Sequence, residues 1–130
     1  MATIKSYTDL DQSKKLAEIL PLESADAFYP WRELMKDYDS IYVPEKMLVS
    51  DLEEDDISAW SLAALSAFIL PSIADDDGNN YKFYLSKDGL GRWTAYYKGN
   101  DASIHICEES HNMIDVIFEM VCWLKAEKYI

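Results

Sequence analysis

Basic side chains are scarce in this chain. Twelve lysines and arginines stand against 24 aspartates and glutamates, a formal net charge of −12 over 130 residues. That sign repels phosphate backbones at long range, which disfavours sequence-independent nucleic-acid binding and favours basic partners. Cysteine is scarcer still: Cys107 and Cys122 are too few for a disulfide framework and read as free thiols. With only four glycines and four prolines, the composition is that of a globular chain and not a disordered one. No apolar run reaches the roughly 18 residues that a membrane span needs, and residues 1–7 lack the basic and apolar segments of a secretory signal. A cytoplasmic location is therefore expected.

What is present is enough apolar material, 49% of the residues, for one real core. With no internal repeat and no linker composition, residues 1–130 read as a single globular domain of α+β class. Thr8 is placed to cap a helix over residues 9–20, with Leu10, Leu16, Ala17 and Leu20 as its apolar stripe and Pro21 as its stop. Residues 22–49 read as helical turns at 24–29 and 31–38 around Pro30, then a short strand at 41–43. The acidic run of Asp51, Glu53, Glu54, Asp55 and Asp56 precedes an apolar helical pattern over residues 56–70, capped by Asp56 or Ser58 and ended by Pro71. Asp75, Asp76 and Asp77 open a polar loop.

Alternating aromatic residues then predict strands at 81–86, 92–97 and 103–107, an antiparallel meander of two to three strands. Tyr81, Phe83, Leu85, Trp93, Ala95, Tyr97, Ile104 and Ile106 fall on the core face. Lys82, Tyr84, Arg92, Thr94, Tyr96, His105 and Cys107 fall on the other. A last helix over residues 112–128 takes Asn112 as cap, with Asp115 three positions on as a partial capping box. Its polar stripe is narrow (Asp115, Glu119, Cys122, Ala126), so Met113, Val116, Met120 and Trp123 need a cover besides the sheet. The central helix or a second copy of the chain, as a homodimer, would supply it. The expected architecture is thus a meander packed with an N-terminal helix, a buried central helix and a C-terminal helix.

Tyr7 to Asp9, residues 12–21 and 23–26, the segment 59–65, and Asp115 with residues 119–124 together resemble a group of small acidic uncharacterised proteins encoded by gut anaerobic bacteria and their phages or integrated elements. The likeness spans most of the chain. It implies a mobile-element origin and carries no functional residue with it.

Chemistry-bearing motifs are few. His105, Cys107, His111 and Cys122 are every His and Cys, but the paired spacing of a closed zinc site is absent, so no metal and no cofactor is expected of them. A thiol paired with His105 or His111 is chemically conceivable as a nucleophile, yet sequence proximity does not make the geometry. Asp75, Asp77 and Asn79 imitate a calcium loop whose glycine and closing glutamate positions hold Asn80 and Ser86. No serine has the glycine spacing of a nucleophile elbow. The chain is accordingly expected to be a non-enzymatic, protein-binding or accessory factor of a mobile element, with Asp51, Glu53, Glu54, Asp55, Asp56, Asp75, Asp76 and Asp77 engaging a basic protein partner. A second expectation rests on local charge: residues 81–98 hold Lys82, Lys87, Arg92 and Lys98 against Asp88 alone. There Lys82, Tyr84, Arg92, Tyr96 and His105 would form an aromatic, basic sheet face for single-stranded nucleic acid or a small ligand.

Overall fold

A computed structural model of the chain describes residues 5–38, 40–44 and 52–130. Its architecture is α+β, with four helices and two antiparallel sheets among the described residues. The chain divides into two compact units, residues 6–64 and residues 65–130 with Lys5.

In the first unit, helix α1 (Leu10–Ile19) is capped by Asp9. The Asp9 carboxylate accepts from the Gln12 amide at 2.8 Å, and the Gln12 side chain accepts from the Asp9 amide at 3.1 Å, closing a full capping box. Thr8 does not cap because its hydroxyl is used elsewhere. It lies 2.7 Å from the Ser13 hydroxyl and accepts from the Trp60 amide at 3.2 Å, while the Thr8 carbonyl accepts from the Tyr29 hydroxyl at 2.7 Å. Ser13, held there, joins Leu16 and Leu20 in the buried face of the helix, and Ala17 is exposed.

Past a 3₁₀ turn at Leu22–Ser24, residues expected to be helical form strand β1 (Ala27–Tyr29). Of the turn expected at 31–38, helix α2 keeps only Trp31–Leu34, and the strand expected at 41–43 is reduced to one bridge, Phe28 with Tyr42. The helix expected over residues 56–70 is replaced by strand β2 (Ile57–Ala59) and the five-residue helix α3 (Leu62–Ser66). Bonds made by Asp56 and Ser61, each with one partner far away in the chain, produce this outcome. The Asp56 carboxylate takes the backbone amides of Trp31 and Glu53, at 2.9 and 2.8 Å, and is not free to start a helix. Ser61 starts it instead, accepting from the Ala64 amide while the Asp26 carboxylate takes the Ser61 amide at 2.8 Å. Between them, β2 pairs with β1 in the register Ala27↔Ala59 and Tyr29↔Ile57. Trp60 is fully buried, its indole nitrogen donating to the Ser24 hydroxyl at 2.9 Å.

The second unit is a four-stranded antiparallel meander, β3 (Ser72–Ala74), β4 (Asn80–Lys87), β5 (Trp93–Lys98) and β6 (Ser103–Ile104), in sequential order, with helix α4 (Met113–Ala126) packed on β5. The expected hairpin is present in the register Phe83↔Tyr97 and Tyr84↔Tyr96, and β3, too short to show alternation, is added at its edge. Asn112 stands at the start of α4 without a side-chain cap, because its carbonyl oxygen accepts from the Lys5 amide at 2.8 Å. The capping box foreseen for Asp115 is likewise absent; its carboxylate pairs with the Lys5 ammonium at 2.6 Å and the Ser110 hydroxyl at 2.9 Å. Of the four residues expected to need a cover besides the sheet, Val116 and Met120 are fully buried and Met113 and Trp123 half-buried. No helix among the described residues is long and apolar enough to cross a membrane.

Thr8 ties α1, β1 and the Trp60 segment after β2 through buried polar atoms, which makes it a point where the first unit is sensitive to substitution. Thr8→Val keeps the shape, strands the Trp60 amide, and leaves the Ser13 hydroxyl only its long bond to the Thr8 carbonyl, at 3.4 Å. It is expected to lower stability by about 1–3 kcal/mol in urea unfolding. A change within about 0.5 kcal/mol would show that solvent or relaxation satisfies both groups.

Candidate functional site

The acidic residues divide unevenly. The first unit holds 5 basic and 14 acidic residues, net −9, and the second 7 and 10, net −3. Asp51 lies outside the described residues. Glu54 and Asp55 are exposed, while Asp56 is committed to the backbone amides of Trp31 and Glu53. The Glu53 carboxylate accepts from the Trp31 indole nitrogen and lies 3.7 Å from the Arg32 guanidinium.

These carboxylates border two depressions. One, of about 230 Å³, is lined by Phe28, Pro30, Trp31, Arg32, Tyr42, Glu53 and Asp56. Phe28 and Tyr42 meet edge to face at 5.2 Å there, and the Arg32 guanidinium lies 5.8 Å from the Trp31 ring. The other, of about 600 Å³, is lined by the apolar side chains of Ala17, Leu22, Leu52 and Ile57 and by Glu18, Glu53, Glu54 and Asp56, with Lys14 and Ser58 among them. Met35, Tyr38, Tyr42 and Val43 of the same unit are at least half exposed. Sequence reading found the carboxylates and missed these aromatics, whose exposure no periodicity announces.

Asp75 is a turn-former. Its carboxylate accepts from the amides of Asp77 and Asn79, the Asn79 side chain and the Tyr81 hydroxyl, and the Asn79 bonds hold its pKa below the ordinary range. Asp76 and Asp77 are exposed beside it.

On the open face of the sheet, Lys82 pairs with Lys98 across the strands and Tyr84 with Tyr96, their rings stacked at 5.6 Å and 13°. Two expected members are not there. Arg92 precedes β5 and is bound to Asp88 at 2.9 Å and Glu109 at 3.2 Å. His105 points the other way, toward α4, stacked on Trp123 at 4.5 Å and 10°.

His105 is also where strand alternation fails. Its φ of +43° lies in the left-handed region, uncommon outside glycine, so the chain turns at the end of β6. Ile106, expected in the core, is exposed, and Cys107, expected on the open face, is buried, its amide continuing the ladder to the Ala95 carbonyl at 2.8 Å. The turn brings His105 and Cys107 together with Glu119 of α4, one donor atom from each lying within 4.8 Å of the others. The His105 Nε2 is buried without a hydrogen-bond partner, 4.0 Å from Glu119 Oε1; the other Glu119 oxygen accepts from the Glu108 amide at 3.1 Å. Burial lowers the His105 pKa, favouring neutral imidazole, and burial followed by the Glu119 charge pushes the Cys107 thiol up to about 12. His111 is exposed and stands apart from the cluster.

No protein-family model matches the chain, and no curated protein or solved structure is significantly similar to it.

Burial also raises the Tyr97 phenol from 10.0 to about 12, and the phenol donates to the Leu70 carbonyl at 2.7 Å. Tyr97 and Cys107 thus ionise in the unfolded chain at lower pH than in the fold. Their contribution to stability is complete below about pH 9 and is lost as the pH rises toward about 12. The urea midpoint of metal-free protein is expected to fall between about pH 8 and pH 11, and in Cys107→Ala the onset should move from near 9 to near 10. An onset unchanged by that substitution would contradict the assignment.

Proposed function

We propose that the chain is a small cytosolic, non-enzymatic binding protein whose working surface lies on residues 6–64 and whose partner is a basic protein segment carrying apolar side chains. One observation carries this reading. Trp31, Phe28 and Tyr42 line a depression edged by Glu53 and Asp56, on a unit of net charge −9. Aromatic side chains, exposed at Tyr42 and half-buried at Phe28 and Trp31, give large contact area for little lost side-chain freedom, and the neighbouring carboxylates select cations and speed their approach. Arg32, resting over Trp31 and beside Glu53, occupies the place that a partner's arginine would take. The resemblance to proteins of phages and integrated elements supports an accessory or host-modulating role.

A second reading has its own support. Tyr84, stacked on Tyr96, lines a depression of about 490 Å³ together with Lys82 and Lys98, and the group offers ring faces and cations to an anionic ring-bearing ligand such as single-stranded nucleic acid.

One titration series separates the two. A lysine- and arginine-rich peptide containing leucine and phenylalanine is expected to bind, to weaken with salt, and to lose at least about tenfold in affinity on Trp31→Ala and again on reversal of Glu53, Glu54 and Asp55 to lysine. Affinity indifferent to both changes would refute the proposal. Binding of a short oligothymidine instead, lost on Tyr96→Ala, would transfer the function to the sheet face.

A further inference from the structure

His105, Cys107 and Glu119 form a cluster that neither functional reading uses. Three features of it are independent of one another. The donor types are an imidazole, a thiol and a carboxylate, the set from which zinc sites are built and one that magnesium and calcium do not seek. Their donor atoms, within 4.8 Å of one another, come from two elements, the end of β6 and the middle of α4, so the fold and not chance sequence proximity assembles them. Finally, the His105 Nε2 is a buried polar atom with no partner, facing a carboxylate oxygen that has no hydrogen bond of its own to the imidazole at 4.0 Å. Such an atom is costly to bury and calls for an explanation.

We infer that this cluster is a binding site for a zinc-class divalent cation, held by the His105 imidazole, the Cys107 sulfur and the Glu119 carboxylate, with a fourth position open to water or an anionic oxygen ligand. Donors this close need only small side-chain rotations to reach the roughly 2.0–2.3 Å bonds of a tetrahedral zinc ion. Two outer contacts already orient them. Trp123 fixes the plane of the His105 ring, and the Glu108 amide holds one Glu119 oxygen, leaving the other toward the cluster. The side chains of His105 and Glu119 are 23% and 41% exposed, so the cluster borders solvent on that side. The Cys107 thiol must lose its proton when the S–Zn bond forms. The balance is one Zn²⁺ bound and one proton released to solvent, and the cation offsets the burial, and then the Glu119 charge, that otherwise disfavour the thiolate.

Chelator-treated, reduced protein titrated with Zn²⁺ in a calorimeter tests this, in buffers of different ionisation enthalpy so that protons released are counted. One equivalent should bind with release of about one proton, and Co²⁺ should give the intense visible absorption of a tetrahedral, thiolate-bound ion. His105→Asn, whose side chain tolerates the left-handed backbone, Cys107→Ser, and Glu119→Gln, which keeps an acceptor for the Glu108 amide, should each weaken binding by more than the roughly 10–100-fold that loss of an outer contact costs. Metal-free unfolding midpoints of the variants identify any that fail to fold, and the remaining variants decide. His111→Gln should change nothing. Absence of saturable binding in the unaltered protein, or binding that persists in the folded variants, would overturn the inference.

Discussion

The indole of Trp123 is the contact on which the sheet-and-helix unit turns. It lies against Tyr97 of β5 at 6.0 Å, against Tyr129 beyond the end of α4 at 5.5 Å, and flat on His105 at 4.5 Å. Tyr97 in turn meets Phe83 of β4 edge to face at 5.5 Å, so one run of rings joins two strands to the helix. Aromatic pairs of this kind add about 0.5–1.5 kcal/mol each beyond the area they bury. That gain offsets the unfavourable backbone of His105, and the turn at His105 is what sends Ile106 outward and Cys107 inward. The cation site therefore follows from packing. The helix that covers the sheet supplies both the ring that holds the histidine and, one turn earlier, the carboxylate that faces it.

The first unit depends on polar atoms instead. Thr8, Ser13 and Ser58 are buried, and the Thr8 carbonyl, amide and hydroxyl all have partners on α1, β1 or the segment after β2. Three-residue strands bury little by themselves, and these bonds fix their register. With the interior committed to them, several of the larger aromatics of residues 28–43 are left at the surface beside carboxylates. A surface rich in ring faces and negative charge is a consequence of how small this core is, and it is also what a basic partner would recognise.

Long periodic elements were legible in the residues. The capped first helix, the aromatic hairpin with Tyr84 and Tyr96 on one face, and the apolar last helix are all where their patterns place them. Residues 56–70 misled because Ile57, Trp60, Ala64 and Phe68 carry helical spacing, while the pairing that makes Ile57–Ala59 a strand comes from Ala27–Tyr29, some 30 residues away. No local pattern holds that information. His105 misled for a different reason: alternation assumes an extended backbone at every step, and a positive φ at a residue other than glycine leaves no mark in the sequence. Glu119 was visible as part of a polar stripe, and His105 with Cys107 as neighbours on a strand. That the stripe faces those two residues depends on how α4 packs on β5.

The most direct measurement is diffraction at the zinc absorption edge from crystals of the zinc-loaded protein. The account predicts one anomalous peak, about 2.0–2.3 Å from a His105 nitrogen, the Cys107 sulfur and a Glu119 oxygen, with the Trp123 ring still stacked on the imidazole. A peak only at His111 or at exposed carboxylates, or none at the junction of β6 and α4, would contradict it.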